Sequence, residues 1–358
     1  MSKLPGPARP SEGALRLVEG GDAPAAPSSA TSVDGQAAAH KSTRPPHGEG
    51  HGVIGGLIKT LRPHQWVKNL FVMAPMVFHK DVFATMANGD PALNLNVAGR
   101  AFAATGVFCL LAGAVYTIND LADLEADRVH PVKRNRPIAS GLVPASIARA
   151  MALALVLLCF GMGYLLSPWF ALVAALYFGE NVLYTFKLKQ VPILDVSLIA
   201  LGFVLRVVAG GLATNVHVSE YMLACTALLA LFLGFGKRRH ELASENAGKQ
   251  RAVLKAYSAG SLNILLGVTG AATIVTYVAY TLDPTTQAFF DSKLLWLTAP
   301  FTAFGIGRFL FLVSGRAGRG IKAESPTQEM LRDVPFVLNL VLWAIVVVAI
   351  VYRLRPGT

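Results

Sequence analysis

The chain has 358 residues, of which 53% are hydrophobic and 15% are charged, and its formal net charge at pH 7 is +11. Water-soluble domains carry about 25% charged residues, so this composition argues against an ordinary soluble enzyme and favours a membrane protein. The three cysteines lie in apolar runs and form no Cys-x-x-Cys pair. They predict neither a disulfide framework nor a zinc cluster.

Residues 1–52 are predicted to form a disordered tail. The segment is rich in Ala, Pro, Ser and Gly, and its positive and negative charges cancel. It therefore lacks the apolar surface that would offset the entropy of an ordered chain. Because no apolar run of the signal-peptide type precedes Val53, we expect the tail to be retained and to be cytoplasmic.

From about Gln65 onward, apolar runs of membrane-spanning length recur. About 20 helical residues cross the roughly 30 Å hydrocarbon core of a bilayer. The pattern predicts an all-α, polytopic membrane domain over residues 53–358, built as a bundle of nine transmembrane helices. The predicted spans are 65–83, 96–118, 145–166, 169–186, 192–213, 219–236, 262–282, 293–313 and 335–353.

Cationic residues are distributed unevenly between the connections of this bundle. If the tail is cytoplasmic, most lysines and arginines fall on the cytoplasmic side, and the opposite side holds only Lys80, Arg100, Lys293, Arg353 and Arg355. This bias follows the positive-inside rule and predicts a multi-pass protein of the inner (plasma) membrane. Since the positive charge belongs to a membrane face, nucleic acid is not an expected partner. The sequence allows a homo-oligomer without specifying one.

The end of the second predicted span carries an acidic cluster. At 100° per residue, Asp120, Asp123 and Asp127 occupy an arc of about 60° on one helix, and Asn119 flanks them. Like charges at this spacing weaken a helix, so their placement at a membrane boundary favours a bound cation. Carboxylate oxygens suit Mg²⁺, which often bridges them to substrate phosphates. The alternative is a solvated acidic helix end.

Cationic side chains surround this cluster in the sequence. Lys133, Arg134 and Arg136 follow closely and predict an anion clamp, because arginine binds phosphates bidentately; a topogenic signal is the simpler alternative. Three other segments on the same side supply the remaining candidates for substrate binding, which are Lys68, Asn69, Tyr184, Lys187, Lys189, Lys237 and Arg238. Asp195 opens the fifth span beside them. Carboxylates for a metal and cations for several phosphates predict phosphate-rich substrates.

These motifs resemble those of the UbiA superfamily of intramembrane prenyltransferases, over residues 53–353. The family signature Asn-Asp-x-x-Asp-x-x-x-Asp is met by Asn119, Asp120, Asp123 and Asp127. The resemblance implies nine helices, Mg²⁺ held by the three aspartates, and an aspartate on the fifth helix, here Asp195. Ordinary members carry a second Asp-x-x-x-Asp on that helix for another magnesium. Here Ile199 stands where its second carboxylate would be.

In that departure the chain is similar to one branch of the superfamily, whose members attach 5-phosphoribosyl groups to polyprenyl phosphates. Five blocks carry the resemblance: Arg62-Pro-x-Gln-Trp-x-Lys-Asn69, His130-Pro-x-Lys-Arg-x-Arg-Pro-Ile138, Leu188-Lys through Asp195, Arg206-Val-Val-Ala-Gly-Gly211 and Gly236-Lys-Arg-x-x-Glu-Leu242.

Arg206, in the fourth of these blocks, lies about 16 Å deeper along the helix than Asp195. We expect its side chain to have a structural role.

The resemblance implies phosphoribosyl diphosphate as the donor and a polyprenyl (decaprenyl) phosphate as the acceptor, on the route to decaprenylphosphoryl-arabinose for cell-wall polysaccharide. It makes Asp120, Asp123, Asp127 and Asp195 the catalytic candidates, the last as a stabiliser of an oxocarbenium-like ribose. Two alternatives stay open. One is a UbiA-type prenyltransferase that moves a prenyl chain from its diphosphate to an aromatic or other small acceptor. The other is a membrane lipid carrier or transporter, which would place polar groups near the bilayer midplane.

Overall fold

The computed structural model describes residues 52–78, 83–85, 91–186, 188–243, 252–314 and 330–351. Residues 1–51 of the predicted tail and the predicted ligand Lys187 lie outside the described residues. The elements are α1 (Val53–Thr60), α2 (Ala74–Val77), β1 (Phe83–Thr85), β2 (Pro91–Leu93), α3 (Leu95–Ala122), α4 (Leu124–Val129), α5 (Ala145–Leu166), α6 (Pro168–Phe186), α7 (Leu194–Thr214), α8 (Glu220–Ala243), α9 (Ala259–Leu282), α10 (Pro284–Phe290), α11 (Ala299–Val313) and α12 (Val334–Val351). Short 3-10 segments cover Pro63–Met73, Lys133–Asn135, Leu188–Gln190, Ala252–Ala256 and Leu294–Thr298.

Within these ranges, eight helical segments are long and apolar enough to cross a membrane. They are α3, α5, α6, α7, α8, α9 and α12, together with Leu294–Thr298 continued by α11. These segments match the second to ninth predicted spans, although α8 continues past the predicted end at residue 236 to Ala243. The helical class and the multi-pass membrane architecture are confirmed. The antiparallel pair β1 and β2 is a small addition to the helical bundle.

The first predicted span, 65–83, is not a continuous α-helix in the described residues. It consists of the 3-10 segment Pro63–Met73 followed by the short helix α2. Proline explains the interruption, because Pro75 has no N–H to donate and its ring crowds the preceding turn. The count of nine spans is therefore not confirmed. The segment nevertheless lies against α3 and α7.

Two groups of helices enclose the interior. The first consists of α3, α5, α6 and α7, whose buried side chains include Phe108 and Phe170. The second consists of α8, α9 and α11, where Phe232 and Phe309 lie 4.9 Å apart between ring centres. Contacts between α7 and α8 join the groups. Because lipid is as apolar as these side chains, close packing and interhelical hydrogen bonds hold such helices together.

A glycine on α7 lets the 3-10 segment Pro63–Met73 approach closely. A Cβ atom at Gly210 would lie only 1.9 Å from the carbonyl oxygen of Val72. No larger residue fits this contact without movement of the backbone. Gly210 therefore fixes the distance between α7 and the segment that carries Lys68 and Asn69.

Arg206 joins the same two elements through hydrogen bonds. Its Nε donates to Oδ1 of Asn69 at 2.8 Å, its Nη1 to the Gly202 carbonyl at 2.9 Å and its Nη2 to the Tyr177 hydroxyl at 2.7 Å. Arg206 is buried, and its guanidinium also lies over the Tyr177 ring. A buried charge is stable only when it is hydrogen-bonded, so these contacts support the structural role expected from the sequence.

Candidate active site

The acidic motif spans a joint between two helices. α3 ends at Ala122 and α4 begins at Leu124, and Asp123 between them has φ −92° and ψ 8°. The prediction of one uninterrupted helix is therefore wrong at this residue. Asp120 and Asp127 are buried, whereas the side chain of Asp123 is 32% exposed. The joint separates Asp123 from the other two carboxylates, and its cationic neighbour differs from theirs.

Arg136 bridges the two buried carboxylates. Its Nη1 lies 2.5 Å from Oδ2 of Asp127 and 3.0 Å from Oδ1 of Asp120. The Nη2 of Arg62 lies 2.6 Å from the same Asp120 oxygen, and the Nζ of Lys133 lies 4.0 Å from Asp127. Buried carboxylates require such partners, because removing an unpaired charge from water costs several kcal/mol. The structure thus brings Lys133 and Arg136 of the predicted anion clamp onto the acidic motif, whereas Arg134 is exposed.

Lys189 supplies the cation for the third carboxylate. Its Nζ lies 3.2 Å from Oδ1 and 3.5 Å from Oδ2 of Asp123. Lys189 belongs to the 3-10 segment Leu188–Gln190, which connects α6 to α7. The contact therefore joins residues that are 66 positions apart in the sequence, as the clustering of charged connections predicted.

Asp195 lies in a separate, buried network at the start of α7. Its side chain has no exposed area, and its Oδ2 accepts a hydrogen bond from Nε of Arg238 at 2.6 Å. Its Oδ1 accepts a hydrogen bond from the Tyr257 hydroxyl at 2.8 Å. Arg238, itself 1% exposed, also donates to Glu241. Both oxygens of Asp195 are thus engaged by the protein, which differs from the contact with ribose expected from the sequence.

The other predicted ligands differ in their exposure to solvent. Lys68 is exposed and lies within electrostatic range of Arg62 and Lys237, so these cations share one region. Asn69 is buried and donates to Cys109 at 3.4 Å while it accepts from Arg206. Asn69 and Arg238 are therefore held inside the protein. Of the remaining candidates, Arg134 is exposed, and Asn119, Tyr184 and Lys237 are half-buried.

The carboxylate oxygens of the acidic motif suit a divalent cation. Among the residues that the structure describes, no three His, Cys, Asp or Glu side chains converge on one point. A single cationic atom, Nη1 of Arg136, nevertheless contacts both Asp120 and Asp127, so a cation between these carboxylates is already accommodated. Carboxylate oxygens are the ligands that Mg²⁺ prefers. These residues therefore fit the predicted magnesium.

An apolar cavity of about 440 Å³ lies among α8, α9, α11, α12 and residues 71–78. Its wall on α8 runs from Tyr221 to Leu233, which corresponds to about 18 Å along the helix axis. Phe71, Tyr277 and Trp343 are among the aromatic side chains of the lining. A cavity of this shape and chemistry suits a hydrocarbon chain.

Comparison with known proteins places the chain in a family. Residues 82–323 match the model of the UbiA prenyltransferase family. The chain belongs to the UbiA prenyltransferase family. This match covers the acidic motif, Lys189, Asp195 and Arg238, and it confirms the family predicted from the sequence.

Relatives of this UbiA protein carry the name decaprenyl-phosphate phosphoribosyltransferase. The protein from Mycolicibacterium smegmatis is 36% identical over 66% of this chain and 73% of its own length. The protein from Corynebacterium glutamicum is 32% identical over 87% and 90%. The protein from Mycobacterium tuberculosis H37Rv is 32% identical over 84% and 94%.

Solved structures of UbiA homologues share the fold. A homologue from Archaeoglobus fulgidus bound to DMAPP and Mg²⁺ superposes with a TM-score of 0.61 at 17% identity, covering 84% of this chain and all of that one. The homologue from Aeropyrum pernix without ligand has a TM-score of 0.56 at 15% identity, covering 79% and 97%. The bundle is therefore the UbiA fold.

Two residues of the site in this UbiA protein were not predicted from the sequence. The sequence could have indicated Arg62, because it is one of the cations predicted on the same side of the membrane as the acidic motif. Nothing in the sequence indicated Tyr257, because it lies 62 positions from Asp195 and outside the five blocks that carry the family resemblance. Only the folded arrangement of α7 and α9 brings its hydroxyl to the carboxylate.

Proposed function

We propose that this UbiA protein transfers the 5-phosphoribosyl group from phosphoribosyl diphosphate to a polyprenyl phosphate such as decaprenyl phosphate. The observation that carries the proposal is the buried pair of Asp195 and Arg238. Ile199 stands where the second carboxylate of the usual motif would be, and the first, Asp195, is neutralised by a guanidinium. One metal–diphosphate site then remains, at the acidic motif. The relatives named for this reaction support the same choice.

Asp120, Asp123 and Asp127 are the residues that would hold Mg²⁺, with Asn119 helping to orient the ion. The bound ion supplies neutralisation of the negative charge that grows on the departing diphosphate. Arg136, Arg62 and Lys189, which contact these carboxylates, are placed to donate to phosphate oxygens of the donor. Substrate anions therefore replace carboxylates as their partners.

The remaining cations reduce repulsion between the two phosphorylated substrates. Each substrate is an anion, so their approach is opposed unless positive charge lies between them. We assign this role to Lys68, Lys133, Arg134, Lys187 and Lys237, with Tyr184 at the edge of the site. Asn69 and Arg238, which are buried, hold the elements that carry these cations.

The reaction forms a bond between a phosphate oxygen of the acceptor and C1 of the ribose. The bond from C1 to the diphosphate oxygen breaks, and its electron pair leaves with diphosphate. The acceptor phosphate is already ionised at neutral pH, so no general base is required. Both oxygens of Asp195 are engaged by Arg238 and Tyr257. Asp195 therefore acts on the reaction through the electrostatic field of its charge and through these hydrogen bonds, without contacting the ribose.

The apolar cavity is the proposed site for the part of the polyprenyl chain nearest the phosphate. Its lining from α8, α9, α11 and α12 is almost entirely apolar. The rest of the chain extends into the bilayer, which is an equally apolar environment. This arrangement keeps the phosphate at the charged end of the bundle, where a water-soluble donor arrives.

We further propose that the protein lies in the plasma (inner) membrane with the tail and the acidic motif on the cytoplasmic side. The excess of cations in the connections around the acidic motif supports this orientation. The product would then form on the side where phosphorylated sugars are available, as a precursor of decaprenylphosphoryl-arabinose for cell-wall polysaccharide.

The test is a product assay with purified protein and Mg²⁺. One reaction contains phosphoribosyl diphosphate labelled in the ribose, with polyprenyl phosphate. The other contains labelled prenyl diphosphate with aromatic acids. The proposal expects labelled lipid phosphate from the first reaction only. Labelled product from the second reaction alone would reassign the protein as a prenyltransferase of aromatic acceptors.

A further inference from the structure

The connection between α6 and α7 holds a residue in an unusual backbone conformation. Ile193 has φ 69° and ψ −49°, a conformation that side chains with a branched Cβ rarely adopt. Such a residue persists only where its surroundings fix it. Its N–H donates to the Tyr257 hydroxyl at 2.5 Å, and Tyr257 lies in the connection between α8 and α9.

The Tyr257 hydroxyl makes two contacts at once. It accepts the hydrogen bond from Ile193 and donates to Oδ1 of Asp195 at 2.8 Å. Burial and the hydrogen bond to Asp195 raise the pKa of Tyr257 to about 12, so the hydroxyl keeps its proton at physiological pH. Tyr257 is 8% exposed. The same hydroxyl therefore holds the last residue before α7 and the carboxylate in its first turn.

The connection held in this way also carries Lys189. Lys189 lies four positions before Ile193, and the Nζ of Lys189 lies 3.2 Å from Asp123. A shift of the connection by an ångström would break this contact, because hydrogen bonds weaken steeply with distance and angle. The position of Lys189 in the site thus depends on the anchor at Ile193.

We propose that Tyr257 is a positioning residue for the donor site, and that its hydroxyl holds the 188–193 connection so that Lys189 reaches the phosphates of the donor. The inference rests on the proposed function. Tyr257 acts through Ile193, Asp195 and Lys189, and it does not contact substrate. The hydrogen bond between Tyr257 and Ile193 therefore affects the affinity for phosphoribosyl diphosphate and does not affect the affinity for the lipid acceptor.

The test compares Tyr257→Phe with wild type and with Tyr164→Phe. The control makes the same chemical change at an exposed tyrosine near the C-terminal end of α5. We expect Tyr257→Phe to raise KM for phosphoribosyl diphosphate about tenfold, as loss of a hydrogen bond to a charged partner does, with KM for polyprenyl phosphate within about twofold of wild type. Amide hydrogen exchange of the peptide containing Ile193 should accelerate in Tyr257→Phe only.

A double-mutant cycle with Lys189→Gln tests the route of the effect. Lys189→Gln alone should raise the donor KM without changing exchange at Ile193. Adding Tyr257→Phe should then raise the donor KM by less than twofold more, because both changes act on the same contact. An additive increase, or equal increases in both KM values, would overturn the proposal.

The outcomes separate this proposal from the proposed function. Wild-type protein that forms no phosphoribosyl lipid rejects the function before any variant is compared. Wild-type activity with an unchanged donor KM in Tyr257→Phe rejects the anchor alone. If Tyr257→Phe does not fold, Lys189→Gln remains decisive, since an unchanged donor KM in that variant removes the residue through which Tyr257 is proposed to act.

Discussion

The Nε of Arg238 lies 2.6 Å from Oδ2 of Asp195, and neither side chain has more than 1% of its area exposed. Arg238 comes from the end of α8 and Asp195 from the first turn of α7, so the pair closes the junction of the two helix groups. Both oxygens of Asp195 are engaged by buried partners, whereas the arginines at the acidic motif, Arg62 and Arg136, are 23% and 26% exposed. The pair therefore separates Asp195 from the metal chemistry assigned to the acidic motif.

Asp195→Asn is expected to destabilise the protein without altering its metal requirement. The change removes the charge that compensates the buried guanidinium of Arg238, and breaking a buried ion pair costs about 3 to 5 kcal/mol. The Mg²⁺ concentration for half-maximal activity should stay within about twofold of wild type. Thermal unfolding in detergent and a Mg²⁺ titration of the remaining folded protein measure the two effects. A large rise in the Mg²⁺ requirement would instead identify Asp195 as a ligand.

Asp120→Asn should have the opposite pattern. It removes a proposed magnesium ligand, so we expect kcat/KM to fall about 100-fold, as loss of one electrostatic stabiliser of a transition state does, with a higher Mg²⁺ requirement. Glu125→Gln is the matched control, because Glu125 belongs to the same motif but is exposed and pairs with exposed Arg128. Equal Mg²⁺ requirements in the two variants would argue against the acidic motif as the metal site.

Gly210→Ala is expected to lower stability by about 1 to 3 kcal/mol, the usual penalty of overpacking. The new Cβ would lie 1.9 Å from the Val72 carbonyl oxygen, so the segment Pro63–Met73 must move. Gly106→Ala in α3 is the control, because no atom lies within 4 Å of a Cβ there and alanine favours a helix. Thermal unfolding of both variants measures the difference. A melting temperature of Gly210→Ala equal to that of Gly106→Ala would show that this contact is absent.

Cys225→Trp should weaken binding of the lipid substrate. Cys225 lines the apolar cavity, and an indole there fills space assigned to the polyprenyl chain. We expect KM for polyprenyl phosphate to rise about tenfold, within the range of steric effects in apolar pockets, with no change in KM for the donor. Leu158→Trp, at an exposed position of α5, adds a similar bulk outside the cavity and should change neither. A donor-specific effect in Cys225→Trp would contradict this use of the cavity.

Asp333 makes a pH-dependent contribution to stability. Its hydrogen bonds from Arg308, at 3.0 and 2.7 Å, are the main cause that lowers the pKa of this carboxyl, and the N–H of Phe336 adds to the shift. A lowered folded-state pKa means that the contribution is complete above the unfolded value of about 3.9 and is lost as pH falls through the folded value. The stability difference between wild type and Asp333→Asn should thus be constant from pH 7 to pH 5 and shrink below about pH 4. Melting curves across this range measure it, and a difference that vanishes by pH 5 would contradict the pairing.

Local patterns in the sequence predicted the helices and the buried part of the acidic cluster. Apolar runs of the length of a bilayer give α3 and α5 directly, because each helix is specified by its own residues. The seven-residue spacing of Asp120 and Asp127 likewise places both on one side, where Arg136 joins them. The proline of the first predicted span, Pro75, was visible in the sequence, but its effect on a whole span depends on the neighbours that satisfy the freed backbone groups.

Partners distant in the sequence were not predictable from spacing. Asp195 was predicted to contact ribose, yet its hydrogen bonds come from Arg238 and Tyr257, 43 and 62 positions away. The contact of Asp123 with Lys189 likewise requires the folded connection between α6 and α7. Such contacts follow from helix packing, and no local pattern encodes them.

The most direct measurement is the identity of the lipid product. Purified protein with Mg²⁺, ribose-labelled phosphoribosyl diphosphate and polyprenyl phosphate should yield a labelled lipid whose mass equals that of the polyprenyl phosphate plus one phosphoribosyl group, with release of one diphosphate. Formation of this lipid should be lost on chelation of Mg²⁺ and strongly reduced in Asp120→Asn. Absence of the labelled lipid under conditions in which the same protein joins a prenyl diphosphate to an aromatic acceptor would contradict the proposed function.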